Sequence, residues 1–324
     1  MVRIESVRES NQRAKSLQGL VAVFVGGTNG IGETTARELF SKTTRPRAYI
    51  LGRNEEKGNK LVSELIQSNP GSQAFYIKVD VALLKNVDNV CAELQRREKC
   101  INILFCTAGY MTLKGRTETP EGLDRKMCVN YYSRMRFAMN LEPQLTAASK
   151  AGQISRFMSV LAAGSEGDIR LEDLDLKHNY TLHACLGHCV MMTDFMMEEF
   201  SKRYPGTAWT HSYPGTVKTG IANELTGPEG SEAGLPIPDD LQVTNAMDGT
   251  PGGGAYLLDW DGRATGDENI IKKYRDVNLG AKTWEHLMDT FKRIVGPKRP
   301  AEAAPEGGNR DAPEMRNPTG WRSY

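Results

Sequence analysis

Short runs of continuously apolar residues alternate along the chain with longer stretches of helical periodicity, and that rhythm predicts the architecture. Residues 20–25, Leu-Val-Ala-Val-Phe-Val, are apolar throughout and rich in β-branched side chains, as a strand covered on both faces of a parallel sheet requires. Glycines follow at once, and then a helical pattern over 33–40. The alternation repeats: strands at 48–51, 74–79 and 101–106, and helices at 55–67 (with Leu61, Val62 and Leu65 inward) and 87–97. A long helix from about 122 to 145, strands at 156–160 and 207–212, and a second long helix from about 180 to 202 continue it. Met191, Met192, Met196 and Met197 on that second helix read as core. A last edge strand at 255–259 and a closing helix at 282–294 complete an α/β chain: one doubly wound parallel sheet with right-handed crossovers and helices on both faces.

The pattern divides the chain into an extension (1–18), one domain (19–295) and a Pro-, Gly- and charge-rich tail (296–324). Within the domain, about 215–253 is rich in Gly, Pro and acidic residues. With Leu225, Leu235, Ile237 and Met247 among them, it reads as an apolar lid over a site. At 324 residues, 39% hydrophobic and 25% charged, the chain can bury a large core and is not disordered, and no apolar run is long enough to cross a bilayer. A net charge of +1 excludes a general nucleic-acid footprint. The six cysteines show no metal spacing and several lie in apolar runs, so reduced core thiols, no metal and a cytoplasmic location are expected, and the charged start lacks a secretory signal.

Chemistry enters at Gly26-Gly-Thr28-Asn29-Gly30-Ile31-Gly32, between a predicted strand and a predicted helix. Small residues there let the backbone turn tightly and approach a pyrophosphate, whose charge the helix N-terminus meets. The next strand ends Leu51-Gly52-Arg53-Asn54. Binders of NAD place an acidic residue near this point for the ribose 2′-hydroxyl; Arg53, with Lys57 nearby, suits a 2′-phosphate, so the expected cofactor is NADPH/NADP+.

These residues resemble the short-chain dehydrogenase/reductase family up to about residue 220. Asp80-Val81 resembles its adenine-contacting pair, and Cys106-Thr-Ala108-Gly109 its Asn-Asn-Ala-Gly motif with both Asn replaced. Asn130 matches the helix asparagine that holds a proton-relay water, and Ser159 matches the catalytic serine. Pro214-Gly215-Thr-Val217-Lys-Thr219 is similar to the segment lining the nicotinamide. The resemblance implies a Rossmann-fold oxidoreductase. It also implies pairing into a homodimer or homotetramer through the helices at 122–145 and 180–202.

The family's Tyr-x-x-x-Lys is absent as written. Four residues after Tyr180 stands Ala184, no lysine lies between Lys177 and Lys202, and an ungapped match counted back from Glu198 puts Thr181 at the tyrosine position. On a helix, His183 or His188 shares a face with Tyr180, and an imidazole exchanges protons near neutrality, so His183 joins Ser159, Tyr180 and Asn130 as a catalytic candidate. The segment 164–179 resembles the insertion of retinol-dehydrogenase-like members; its carboxylates, Asp168 included, are solvated loop charges by default. The whole pattern looks like a divergent fungal branch of the family, which implies secondary metabolism. Three activities stand open: NADPH-dependent reduction of a carbonyl or iminium on a lipophilic small molecule, a cofactor-binding isomerase, dehydratase or cyclase, and a cofactor-binding pseudoenzyme.

Overall fold

The computed structural model describes residues 12, 14–217, 219 and 254–296. Most of the proposed lid and the tail beyond 296 lie outside them. The apolar runs become seven parallel strands: β1 (Val21–Val25), β2 (Arg47–Gly52), β3 (Gln73–Lys78), β4 (Ile103–Cys106), β5 (Arg156–Val160), β6 (Ala208–Ser212) and β7 (Gly254–Leu258). They form one sheet in the order β3-β2-β1-β4-β5-β6-β7. Strand order reverses between β1 and β4, and in open α/β sheets the ligand crevice forms outside the carboxyl ends of the strands at such a point.

Helices α1 (Gly30–Lys42) and α2 (Glu55–Ser68) cover one face, burying Phe24, Phe40, Ile50, Leu61, Val62 and Leu65 together. The other face carries α3 (Leu84–Arg97), α4, α5 (Leu182–Arg203), α6 (Glu268–Asp276) and α7 (Leu279–Val295) over a larger core. There Trp209 of β6 is fully buried and stacks on Phe200, ring centres 4.5 Å apart. The α4 helix departs from the uninterrupted helix expected at 122–145. It starts at Arg125–Met127, capped by Asp124, passes through a π-helical turn at Cys128–Tyr132 and continues as Ser133–Lys150. Single π turns in α-helices mark functional sites more often than chance.

Every residue of α5 from Gly187 to Ser201 is buried, the four methionines included. Part of that cover is α7. Gly280 comes so close to α5 that a Cβ there would lie 2.7 Å from Glu199 Oε1, and Trp284 meets Phe200 edge-on with the Arg203 guanidinium 3.9 Å above its ring. Further along α7, His286 Nε2 lies 2.7 Å from the Tyr132 hydroxyl of α4. The chain's own last helix thus packs along the outer side of α5.

Candidate active site

The glycine loop is held at the carboxyl ends of three strands. Gly26 N–H and Gly27 N–H both donate to Leu51 O of β2, at 3.0 and 3.1 Å, while Thr107 and Ala108 N–H, just past β4, donate to Val25 O of β1. The closeness demands glycine. A Cβ on Gly26 would lie 2.4 Å from Ala108 N, and one on Gly32 would lie 2.4 Å from Gly26 O and 2.7 Å from Thr107 Oγ1. Helix α1 then opens at Asn29, whose extended backbone makes no side-chain cap bond, so its first-turn N–H groups are left to an incoming anion. Thr219 packs on Gly30, bringing the segment after β6 back over this turn, and Trp260 packs on Gly215.

At the end of β2, Thr28 fills the space that a side chain on Gly52 would need, so the glycine loop and exposed Arg53 are neighbours. Asn54 caps α2 by accepting from Lys57 N–H. Asp80 has both oxygens engaged, Oδ1 by Ala82 N–H and Oδ2 by Arg125 at 2.8 Å, with Val81 buried beside it. A dinucleotide fits these residues: a cradle that any Cβ would fill, an uncapped helix N-terminus, and a cation at the ribose end.

Each catalytic candidate is held by its own partners. Asn130, in the π turn, accepts from Tyr110 N–H and donates to Tyr110 O, which fixes the loop that follows Ala108 and Gly109. Ser159 lies within β5, fully buried, its hydroxyl accepting from Arg134 Nη1 at 2.8 Å. Tyr180 precedes α5 instead of riding on it, because Thr181 caps the helix by accepting from Ala184 N–H. Its hydroxyl is buried beside the Cys185 thiol without an ordinary hydrogen bond, and burial pushes its pKa up, opposite to what a proton donor at neutral pH needs. Lys126, the buried cation near it, lies 5.3 Å over the ring and is spent on Lys114 O, Gly115 O and Asp124. Tyr180→Phe is therefore expected to leave stability unchanged or raise it by up to ~1 kcal/mol, since a buried hydroxyl that makes no bond costs stability; a loss above 1 kcal/mol on urea titration would show a bond that matters.

His188 is fully buried, its Nε2 accepting from Arg170 N–H and its Nδ1–H donating to Leu174 O, so it braces the 164–179 segment. Asp168 is on the surface with Lys273 and the Tyr274 hydroxyl. His183, exposed on the first turn of α5, is the one catalytic candidate with an open titratable group. Met111, Leu113, Leu182, Leu186 and Val217 are exposed apolar side chains. These residues belong to the segments after β4, β5 and β6, at the carboxyl edge of the sheet. Sequence reasoning missed Arg134. Its signal was a charged residue on the apolar stripe Met127, Tyr131, Met135, Ala138 of a helix.

Comparison with known proteins places this geometry. Residues 20–167 match the short chain dehydrogenase family model. The oxidoreductase AN1596 of Emericella nidulans is 36% identical over 89% of this chain and 98% of its own length. The short-chain dehydrogenase/reductase SAT2 of Stachybotrys chartarum is 25% identical, covering 91% and 98%. A crystal structure of an uncharacterised Mycobacterium paratuberculosis protein superposes with a TM-score of 0.59 at 18% identity, over 86% of this chain and 97% of that one. The glycine cradle at the β1–β4 reversal and the full-length likeness to fungal oxidoreductases agree: this chain belongs to the short-chain dehydrogenase/reductase family.

Proposed function

We propose that the protein is an NADPH-dependent reductase of a carbonyl or iminium group on a lipophilic small molecule, working in the cytoplasm in secondary metabolism. The observation that carries the cofactor is the uncapped first turn of α1 beneath the Gly26–Gly32 cradle, with Thr28 packed against Gly52 and exposed Arg53 next in the chain. Gly26, Thr28, Asn29, Gly30, Ile31 and Gly32 hold the pyrophosphate; Arg53 and Asn54 take the 2′-phosphate; Asp80 and Val81 border the adenine. Ala108, Gly109, Pro214, Gly215, Val217 and Thr219 border the nicotinamide, which supplies a hydride when bound. The exposed apolar side chains at the carboxyl edge support a lipophilic substrate. His183 is the proton donor, because Ser159 and Tyr180 are buried and Asn130 is engaged with Tyr110.

The test is cofactor titration of wild type and Arg53→Ala. Charge-assisted bonds to a phosphate are worth about 1.5–3 kcal/mol, so NADPH affinity is expected to fall roughly ten- to a hundredfold while NADH affinity stays put. Equal losses for both cofactors would sink the 2′-phosphate assignment. The buried Ser159 and Tyr180 hydroxyls also favour a second reading, a non-redox isomerase, dehydratase or cyclase. Incubation with lipophilic aldehydes and ketones separates the two: the reductase oxidises NADPH in step with substrate, while the alternative turns substrate over with the cofactor unchanged.

A further inference from the structure

Beneath the cleft floor lies a charge that the proposed chemistry leaves unexplained. Arg134, on α4 one turn beyond Asn130, is 1% exposed. Its Nη1 donates to Ser159 Oγ and Val160 O, at 2.8 and 2.7 Å, and its Nη2 donates to Ala108 O at 2.7 Å. Its Nε, equally buried, has no partner. No carboxylate among the described residues lies within ion-pair distance of it, whereas buried Lys126 has Asp124 and buried Arg136 has Asp88.

The guanidinium nonetheless stays charged at neutral pH, burial lowering its pKa only to about 10. Its field is felt nearby: burial first, and then this charge, push the His211 pKa down to about 3. His211 is bonded to Asp194, whose own pKa burial pushes well up. A buried cation without an anion costs several kcal/mol, and breaking one free of its partners is rarely neutral. Such a group persists where its field acts on something else.

Its position indicates what. The pyrophosphate cradle and Arg53 fix the phosphate and adenosine portions of a dinucleotide over β1 and β2, so the redox-active end extends across the reversal to the carboxyl ends of β4 and β5. Ala108 and Val160, the two residues whose carbonyls Arg134 clamps, mark those ends. We propose that Arg134 makes this cleft discriminate between redox states of its cofactor, favouring the uncharged dihydronicotinamide of NADPH over the cationic ring of NADP+. This rests on the nicotinamide reading above and adds to it: the oxidised form is held less tightly than the reduced form and is released more readily. Arg134 is a positioning residue that acts through space and through the Ala108 peptide.

The experiment is equilibrium titration of NADPH and of NADP+, by calorimetry, against wild type, Arg134→Gln and Arg134→Lys, with melting curves to confirm folding. In wild type NADP+ is expected to bind on the order of tenfold or more weaker than NADPH, because like charges repel more strongly in a low-dielectric interior than in water. Arg134→Gln, which keeps N–H donors without the charge, is expected to bring the two affinities to within about threefold. Arg134→Lys is expected to keep most of the gap. A purely structural role would weaken both forms together and leave their ratio alone. Equal affinities in wild type overturn the proposal without any variant, and so does a ratio that survives in a folded Arg134→Gln. Failure of both forms to bind is a different result: it overturns the nicotinamide reading itself.

Discussion

Gly26→Ala is expected to cost about 2–5 kcal/mol of stability and to abolish binding of the nicotinamide cofactor. Two independent causes add. Gly26 sits at φ +89°, where an L-residue is strained by roughly 1–2 kcal/mol. The new methyl would also lie 2.4 Å from Ala108 N and 2.7 Å from Ala108 Cα, backbone atoms that β1 and β4 hold in place, and overpacking of this kind costs about 1–3 kcal/mol. Relief would come only by parting the ends of β1 and β4, which is where the cradle is built. Gly115→Ala is the control, for a Cβ there meets nothing within 4 Å and its φ is ordinary. Urea titration decides: a loss below 1 kcal/mol for Gly26→Ala, or an equal loss for Gly115→Ala, would show that the close approach is not what requires glycine.

The legible part of the fold is the part that repeats. Each β-branched run became a strand within two residues of its expected ends, because a strand buried on both faces has no polar positions to blur it. The edge strand β7 was readable in the same way. Helix α6 was not, since Glu268–Asp276 is mostly charged and buries only Ile271 and Tyr274. Nor was the π turn in α4, which arises where Asn130 is pulled onto the Tyr110 backbone, a contact across 20 residues with no local signature.

The site splits along the same line. Its phosphate half is backbone chemistry, and backbone chemistry leaves glycines in the sequence. Its catalytic half depends on where side chains point. Ser159 was assigned by its match to the family's catalytic serine; within β5 it faces α4, where Arg134 bonds its hydroxyl, a contact no local pattern announces. Tyr180 was assigned to a helix face, yet Thr181 starts the helix after it. One residue's shift in a cap decides whether a side chain enters a cleft or a core.

Acidification is expected to unfold this protein well above the carboxylate range, through His188 and His286. His188 is held as the neutral Nδ1–H tautomer, and a proton on Nε2 would face the Arg170 N–H that it now accepts. Burial lowers its folded pKa below the ordinary 6.5, and does the same for His286, whose Nε2 lies against the Tyr132 hydroxyl. The unfolded chain takes up both protons near pH 6.5 and the folded protein does not. Stability is therefore present above that pH and falls as pH drops through it, by up to ~1.4 kcal/mol per pH unit for each histidine. His211, with its pKa pushed down to about 3 by burial, pushes the same way, while burial raises the pKa of its partner Asp194, which opposes it. The lowered carboxyls of Asp173 and Glu199 act only below about pH 4.5, outside this window. His188→Gln is expected to be less stable than wild type at pH 7.5 but to lose stability more slowly toward pH 5.5, its slope shallower by close to one proton. Urea titrations across that range give both slopes, and parallel curves would mean that His188 titrates alike in the folded and unfolded chains.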